Sequence, residues 1–479
     1  MSAPFKEPEP ARPSIAAPES RFWPLVREAL AGSRRDLTAM PLGRAVLLIA
    51  IPMILEMIAE SIFAVVDIFW VSKLGADAIA AVGLTESLMT IVYAGAMGLS
   101  IGVGAVVARR TGAKDAAGAS RAAVQAVVIG LGVSVIVGTA GAVAGPYLLA
   151  LMGASPAVQA IGAGYTRTIF AGSASVILLF LVNAAFRGAG DAALTMRTLW
   201  LANGINMLLG PVFIFGLGPA PRLGVTGAAV ATTIGRGIGV LYQLRNLRVG
   251  RGRLSVPRSE IRLDMETLRT ILRIARSGMT QMFIGMTSWV GLVRILSTFG
   301  STALAGYTVA VRVVLFALLP AFGLGNAAAT LVGQNLGAGD PARAEQAVWR
   351  AAFYNFIFLG VVGLVLFIAG YGIVQLFTSE PDVVAAGGRC LRIVAIGFPL
   401  YAYGMVVSQA FNGAGDTRTP TRINLGCFWM GEIPAAYLLS QLLGLGPTGV
   451  YIAITLAFSA VAVVSVTIFR RGRWKLVKV

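Results

Sequence analysis

Histidine is absent from all 479 residues of the chain. That removes the commonest metal ligand and the usual proton carrier near neutral pH, so any proton chemistry falls to carboxylates. Cysteine is nearly as scarce. Cys390 and Cys427 both lie in apolar segments, and two isolated thiols make neither a disulfide framework nor a zinc site. Charge is thin too: 13% of residues are charged, about half the share of a soluble globular chain. With 57% of residues hydrophobic, there is too little polar surface to face water. Lipid is the solvent this composition suits. A Walker A sequence is also missing. Gly98, Gly102 and Gly104 fall within an apolar run and read as close helix packing. No nucleophile, base or metal cluster assembles, which excludes an enzyme. No cofactor is expected beyond a coupling ion, H⁺ or Na⁺.

What is plentiful is positive charge, a net +18. Its placement argues against nucleic acid, because a nucleic-acid surface needs a basic stripe on a folded domain. Here Lys and Arg cluster in short segments between apolar runs, as the positive-inside bias produces.

Residues 1–40 differ from the rest. MSAPFKEPEPARPSIAAPES is rich in Pro, Ala and Glu and lacks the uninterrupted apolar core of a signal peptide. It reads as a mobile cytoplasmic tail, followed by an interfacial helix around Phe22, Trp23, Leu25 and Leu30. From Gly43 onward, apolar runs long enough to cross a bilayer recur. They fall roughly at 43–71, 79–108, 120–150, 157–186, 192–217, 224–245, 267–298, 304–333, 346–377, 387–411, 421–443 and 448–470. Twelve crossings put both termini on one side. Arg34, Arg35, Arg44, Arg109, Arg110, Arg187, Arg197, Arg245, Arg248 and the Arg470–Lys478 tail share that side, while the alternate loops hold few cations. Both termini are therefore expected in the cytoplasm, with the chain in the inner (plasma) membrane.

The sequence repeats itself. Phe186-Arg-Gly-Ala-Gly-Asp191 returns 225 residues later as Phe411-Asn-Gly-Ala-Gly-Asp416. The same shift carries Gly75 to Gly300, Gly98-Leu99 to Gly323-Leu324, Gly112-Ala113 to Gly337-Ala338 and Asp115 to Asp340. Such a repeat marks duplicated architecture. The expected fold is an all-α integral membrane protein with twelve transmembrane helices in two six-helix lobes. A pseudo-two-fold axis along the membrane normal relates the lobes. The expected division is a tail over 1–40, an N-terminal lobe over 41–250, a linker over 251–266 and a C-terminal lobe over 267–479. A cleft between two such lobes is transporter architecture. In the repeated turns, glycine supplies a left-handed residue that ends one helix, and Asp191 or Asp416 caps the next.

The first crossing carries the sharpest chemical signal. In IPMILEMIAESIFAVVDIFW, Glu60 lies roughly 40° and Asp67 roughly 20° from Glu56 around a helix. Three carboxylates thus share one face over a rise of roughly 16 Å. Acids facing lipid are costly, so these are expected to line an internal cavity and to bind a proton or small cation; the competing reading pairs Glu56 and Glu60 with arginines of other helices. Pro52, early in the same helix, removes a backbone bond and lets the helix hinge. Glu86, Arg294 and Arg312 are further ionisable residues within apolar runs and candidate cavity-lining groups, and Glu432 is another intramembrane acid.

The chain resembles the multidrug and toxic compound extrusion (MATE) family from Gly43 to Arg473. Val332-Gly-Gln-Asn-Leu-Gly-Ala-Gly-Asp340 and Phe411-Asn-Gly-Ala-Gly-Asp-Thr-Arg-Thr-Pro420 carry the resemblance, with Leu74-Gly, Ala80-Ala-Val-Gly83 and Leu223-Gly-Val-Thr-Gly-Ala-Ala-Val-Ala-Thr232. It is nearer the DinF-like branch. The resemblance implies Na⁺ or H⁺ antiport and export of cationic amphipathic compounds. It implies that Asp67 couples the ion, that Pro52 marks the bend of proton-coupled members, and that Asn183, Asn206 and Thr232 are the polar partners. Two features depart from it. Gly210 stands where the DinF-like branch has an aspartate, and Gly285 faces Glu60 in the repeat, leaving the seventh helix without an acid. Glu60 or Glu56 is read as replacing the missing carboxylate.

The resulting expectation is a monomeric antiporter that exchanges H⁺, ahead of Na⁺, for lipophilic organic cations by rocking of its lobes. The alternative is a flippase for a lipid-linked saccharide or another amphipathic metabolite, which would need Arg294 and Arg312 to face inward.

Overall fold

The computed structural model describes residues 22–479 apart from Arg34 and Arg251. The tail expected over 1–40 therefore lies outside the described residues up to residue 21. Helix α1 (Phe22–Ala31) occupies the place of the expected interfacial helix. Two crossings follow as α2 (Leu42–Ser72) and α3 (Ala76–Gly112), then α4 (Ala116–Leu151). The fourth crossing is a bent pair, α5 (Pro156–Ala171) and α6 (Ser173–Gly188), which meet at 40° across Gly172. Helices α7 (Ala192–Phe215) and α8 (Val225–Val249) complete the first half. The second half repeats the order as α9 (Met265–Leu296), α10 (Ser301–Gly337), α11 (Pro341–Gln375) and α12 (Pro381–Ala414). Its fifth crossing alternates α13 (Arg418–Asn424), a π-helical stretch Leu425–Glu432, α14 (Ile433–Tyr437) and a second π-helical stretch Leu438–Leu442. Helix α15 (Pro447–Arg470) closes the bundle. Among the described residues the chain crosses twelve times and forms no strand.

The repeated turns form as their sequences dictate. Gly190 and Gly415 take φ of +84° and +86°, and Gly339 takes +78°. Each next aspartate then accepts a backbone N–H of the following helix: Asp191 from Leu194, Asp340 from Arg343 and Asp416 from Thr419. The fourth copy departs from the rule. Lys114 occupies the left-handed position there, at φ 60°, and Asp115 caps Gly118.

The pseudo-two-fold axis can be located from reciprocal contacts. A Cβ at Gly112 would fall 1.9 Å from the Gln334 carbonyl oxygen, and one at Gly337 would fall 2.0 Å from that of Arg109. Arg109 and Gln334 are themselves 225 residues apart, so the axis passes between the crossing ends of α3 and α10. Only glycine lets these backbones approach so closely.

Apolar packing shows how the lobes meet. One core joins Val46, Ile49 and Met53 of α2 to Leu324, Ala328 and Leu331 of α10. A second joins Leu99, Val103 and Val106 of α3 to Ile271, Ile274 and Ala275 of α9. Both lie toward the end that bears the termini. Toward the other end the cores are confined to one lobe, around Tyr165 and Val225 in the first and around Tyr307 and Tyr451 in the second. The lobes are thus joined at the terminal end. Arginines tie the flanking segments there: Arg253 donates to the carbonyls of Ser33 and Arg35, Arg343 to that of Met40, and Arg109 to that of Val477 at 2.7 Å.

Candidate functional site

The acidic face of α2 turns toward α7 and α8, as helical spacing requires. Its three carboxylates meet three different environments. Glu56 is 1% exposed. It accepts from Arg187 Nη1 at 3.0 Å and from Thr195 Oγ1 at 2.8 Å. A buried ion pair with both partners hydrogen-bonded is a fixed unit. Glu56 therefore differs from the open, ion-binding carboxylate expected of it, because a permanent guanidinium already serves it.

One turn farther along, Glu60 is half-buried and accepts from Asn203 Nδ2 at 3.0 Å. The Arg236 guanidinium stands 3.8 Å from its Oε1. Arg236, in the middle of α8, is only 9% exposed. It donates to the Tyr93 hydroxyl at 3.1 Å and lies over that ring, 5.9 Å from its centre. Asn206 donates to Thr232 Oγ1 at 2.7 Å, and Thr232 precedes Arg236 by one helical turn on α8.

Asp67 is half-buried and, among the described residues, makes no hydrogen bond or ion pair. The charges it feels are those of Glu86 on α3 and Arg236, and Tyr165 of α5 stands within the same field. Among the described residues, Glu60, Asp67 and Glu86 thus share one cation, Arg236. With all three ionised the group carries two more negative charges than positive ones; Glu60 and Asp67 are half-buried there and Glu86 is exposed. Like charges this close repel, and a small cation or proton would offset that repulsion.

The remaining candidates fall elsewhere. Asn183 is buried and its Oδ1 accepts from Gln243 Nε2 at 2.6 Å, a pairing between α6 and α8. Pro52 is buried within a continuous α2, one residue before Met53, which packs under Gly323 of α10. At Gly210 the space for a side chain is bordered by the Trp70 indole, 3.8 Å from where a Cβ would sit. Arg294 and Arg312 are both exposed. Arg312 borders a cavity at the far end of α10 with Leu304, Thr308 and Phe377.

Between the lobes lies a cavity of about 290 Å³. Its walls are mostly apolar, with Met57, Met97, Met282, Phe180 and Phe322, and its polar groups include Asn326, Gln409 and Arg187. Neither Arg294 nor Arg312 borders it. Flexible thioethers and aromatic rings suit ligands of varied shape.

Sequence reasoning passed over Arg236, Arg187, Asn203, Thr195 and Tyr93. Arg236 had a signal, being an arginine near the middle of an apolar run. The others are fixed only by pairing across helices.

A profile of the MatE family matches residues 52–212 and 274–438. The chain is 26% identical over 436 residues to the probable multidrug resistance protein YoeA of Bacillus subtilis, covering 90% of this chain and 94% of that one. It is 23% identical over 433 residues to the probable multidrug resistance protein NorM of Thermotoga maritima, covering 89% and 92%. A solved structure described as the outward-facing conformation of a multidrug resistance MATE family transporter of the MOP superfamily superposes with a TM-score of 0.85. That match is at 26% identity and covers 91% of this chain and 97% of that one.

Proposed function

Because this chain belongs to the MatE family of transporters, we propose that it expels lipophilic organic cations from the cell as a monomer, in exchange for H⁺ ahead of Na⁺. Relatives named for multidrug resistance support the substrate class. The apolar, methionine-lined cleft between the lobes supports it too.

One observation carries the coupling: among the described residues Asp67 has no hydrogen-bond or ion-pair partner of its own, while the charges of Glu86 and Arg236 act on it and Glu60 stands beside the same guanidinium. In this reading an arriving ion neutralises Asp67. The Glu60–Arg236–Asn203 set responds because the same guanidinium serves both acids. Asn206 and Thr232 lie one turn away as polar contacts, and Asn183 tightens the packing of α6 on α8. Movement of α2 about Pro52 then narrows the N-terminal lobe and releases substrate outward.

The arginine-rich end, with Arg44, Arg109, Arg110, Arg187, Arg197 and Arg245, faces the cytoplasm by the positive-inside bias. The lobes join at that end, so the conformation is outward-facing in the plasma membrane.

The lipid-saccharide flippase is less well supported. Its cationic cavity would need Arg294 and Arg312 in the cleft, and neither borders it. Vesicles containing the protein test the choice, with ethidium and a lipid-linked saccharide offered separately and the pH and Na⁺ gradients imposed one at a time. Uphill ethidium movement under the pH gradient is expected. Movement of the saccharide alone would overturn the reading.

A further inference from the structure

The C-terminal lobe contains one deeply buried carboxylate that the N-terminal mechanism does not use. Glu432 is 3% exposed and ends the π-helical stretch Leu425–Glu432.

That stretch decides where Glu432 points. In the N-terminal lobe, Gly227 of α8 closes against Phe213 and Ile214 of α7. In the C-terminal lobe the equivalent Gly449 of α15 closes against Leu439 and Ser440. The offset between halves is 225 before the π-helical stretch, from Asp191 to Asp416. Beyond it the offset is 226, from Phe213 to Leu439. A π turn inserts one residue and rotates all that follows. Glu432 consequently takes the position of Asn206 rather than of Met207. The burial pattern agrees: Gly431 is exposed and Glu432 buried.

The neighbours of that position have changed in kind. Through Gly227 and Gly449, Thr232 corresponds to Ile454 and Arg236 to Phe458. Asn203 corresponds to Phe428, and Glu60 to Gly285. Phe428 and Phe458 meet edge to face at 6.3 Å. The charged cluster of the first lobe has become glycine and aromatic rings, with one acid left.

The elements packed around Glu432 offer it hydroxyls rather than a counter-charge. Ser288 of α9 is its hydrogen-bonding neighbour, but that hydroxyl already donates to the Gly285 carbonyl at 3.0 Å. From α10 comes Tyr307 and from α12 Tyr401. Tyr307 stacks on Tyr451 of α15, whose titratable and charged neighbours are Cys390 and Arg389. No Lys or Arg forms an ion pair with Glu432 among the described residues. A neutral carboxyl can donate to the Ser288 oxygen while that hydroxyl keeps its bond to the Gly285 carbonyl, whereas a carboxylate there would have to draw the hydroxyl away from that carbonyl and would still lack a counter-ion. One acid and one hydroxyl among phenols also fall short of the oxygen cage that a metal cation needs.

We propose that Glu432 is a proton-binding site of the C-terminal lobe, filled while its carboxyl is buried as it is here and emptied when the π-helical crossing admits water. Its link to substrate export rests on the function proposed above; its proton occupancy does not.

Infrared difference spectra of the purified full-length protein in lipid nanodiscs test it, comparing acid and alkaline buffers with and without Na⁺. The parent and Asp67→Asn are expected to share a buried protonated-carboxyl band that vanishes at alkaline pH. Glu432→Gln should lose that band, and Glu432→Asp should restore it at a shifted frequency. Retained ethidium binding by Glu432→Gln verifies its fold; if Glu432→Gln does not fold, the Glu432→Asp frequency shift decides. The proposal is overturned if Glu432→Gln keeps the whole parental spectrum, if Glu432→Asp leaves the frequency unmoved, if Na⁺ at constant pH removes the band, or if the band persists at every pH. Loss of vesicle transport with these bands intact would instead count against the export reading alone.

Discussion

The Glu56 carboxylate lies 3.0 Å from the Arg187 guanidinium, and Thr195 completes its bonding at 2.8 Å. Arg187 also borders the cleft between the lobes, so one buried pair links the acidic face of α2 to that cleft. Removing the cation alone strands a carboxylate that is 1% exposed. Arg187→Met is therefore expected to destabilise the protein by about 3–5 kcal/mol. The double variant Glu56→Gln/Arg187→Met should recover much of that loss. Thermal unfolding midpoints in detergent check it; a double variant as unstable as Arg187→Met would contradict the pairing.

The crossing of α3 and α10 leaves no room for a methyl group. In Gly112→Ala the new Cβ would collide with the Gln334 carbonyl. Overpacking of this kind costs about 1–3 kcal/mol, and here the cost falls only on the state in which the terminal ends touch. The variant should populate the oppositely open state. A cysteine placed at Ala108, buried under Gly333, should react faster with an impermeant thiol reagent in the Gly112→Ala background. Equal rates would mean that the contact does not hold the lobes together.

Lys114 and Gly339 occupy the same turn in the two halves. Only the lysine pays a left-handed penalty, about 1–2 kcal/mol for a residue with a Cβ. Gly339→Ala, whose Cβ would touch nothing within 4 Å, should lower the unfolding midpoint through backbone conformation alone. Lys114→Gly should raise it by a smaller amount, because glycine also loosens the unfolded chain. Opposite signs are the expected result.

Asp264 caps α9 and is held below its ordinary value of 3.8 by hydrogen bonding from the Thr267 backbone N–H and hydroxyl, helped by Arg110 and Arg121. A lowered carboxylate stabilises the fold above its unfolded value, and that contribution disappears as pH falls through the folded value. Asp264→Ala should cost about 1 kcal/mol at neutral pH. The gap between variant and parent midpoints should close as the buffer is acidified below the ordinary carboxylate value. A gap that widens with acid would contradict this cap.

Much of the fold was legible because lipid imposes a simple rule. Apolar runs of sufficient length must cross, and all twelve expected runs correspond to helical crossings. The 225-residue repeat likewise announced the axis that Gly112 and Gly337 mark. The bend at Gly172 and the π-helical turns before Glu432 were not legible, since neither changes composition or length. The acidic face of α2 could be read from spacing, but its consequences could not. Helical period places Glu56 and Glu60 on one side without saying that Arg187 meets one and Arg236 shares the other. Those partners come from crossings 131 and 176 residues away in sequence, and packing alone brings them together.

The proposed coupling depends most on Asp67 being an acid that an ion must fill. Ethidium accumulation in vesicles driven by an imposed pH gradient, measured for the parent and for Asp67→Asn, tests this directly. Uphill accumulation by the parent and only equilibration by Asp67→Asn, with ethidium still bound, are expected of this coupling. Undiminished uphill accumulation by Asp67→Asn would contradict it.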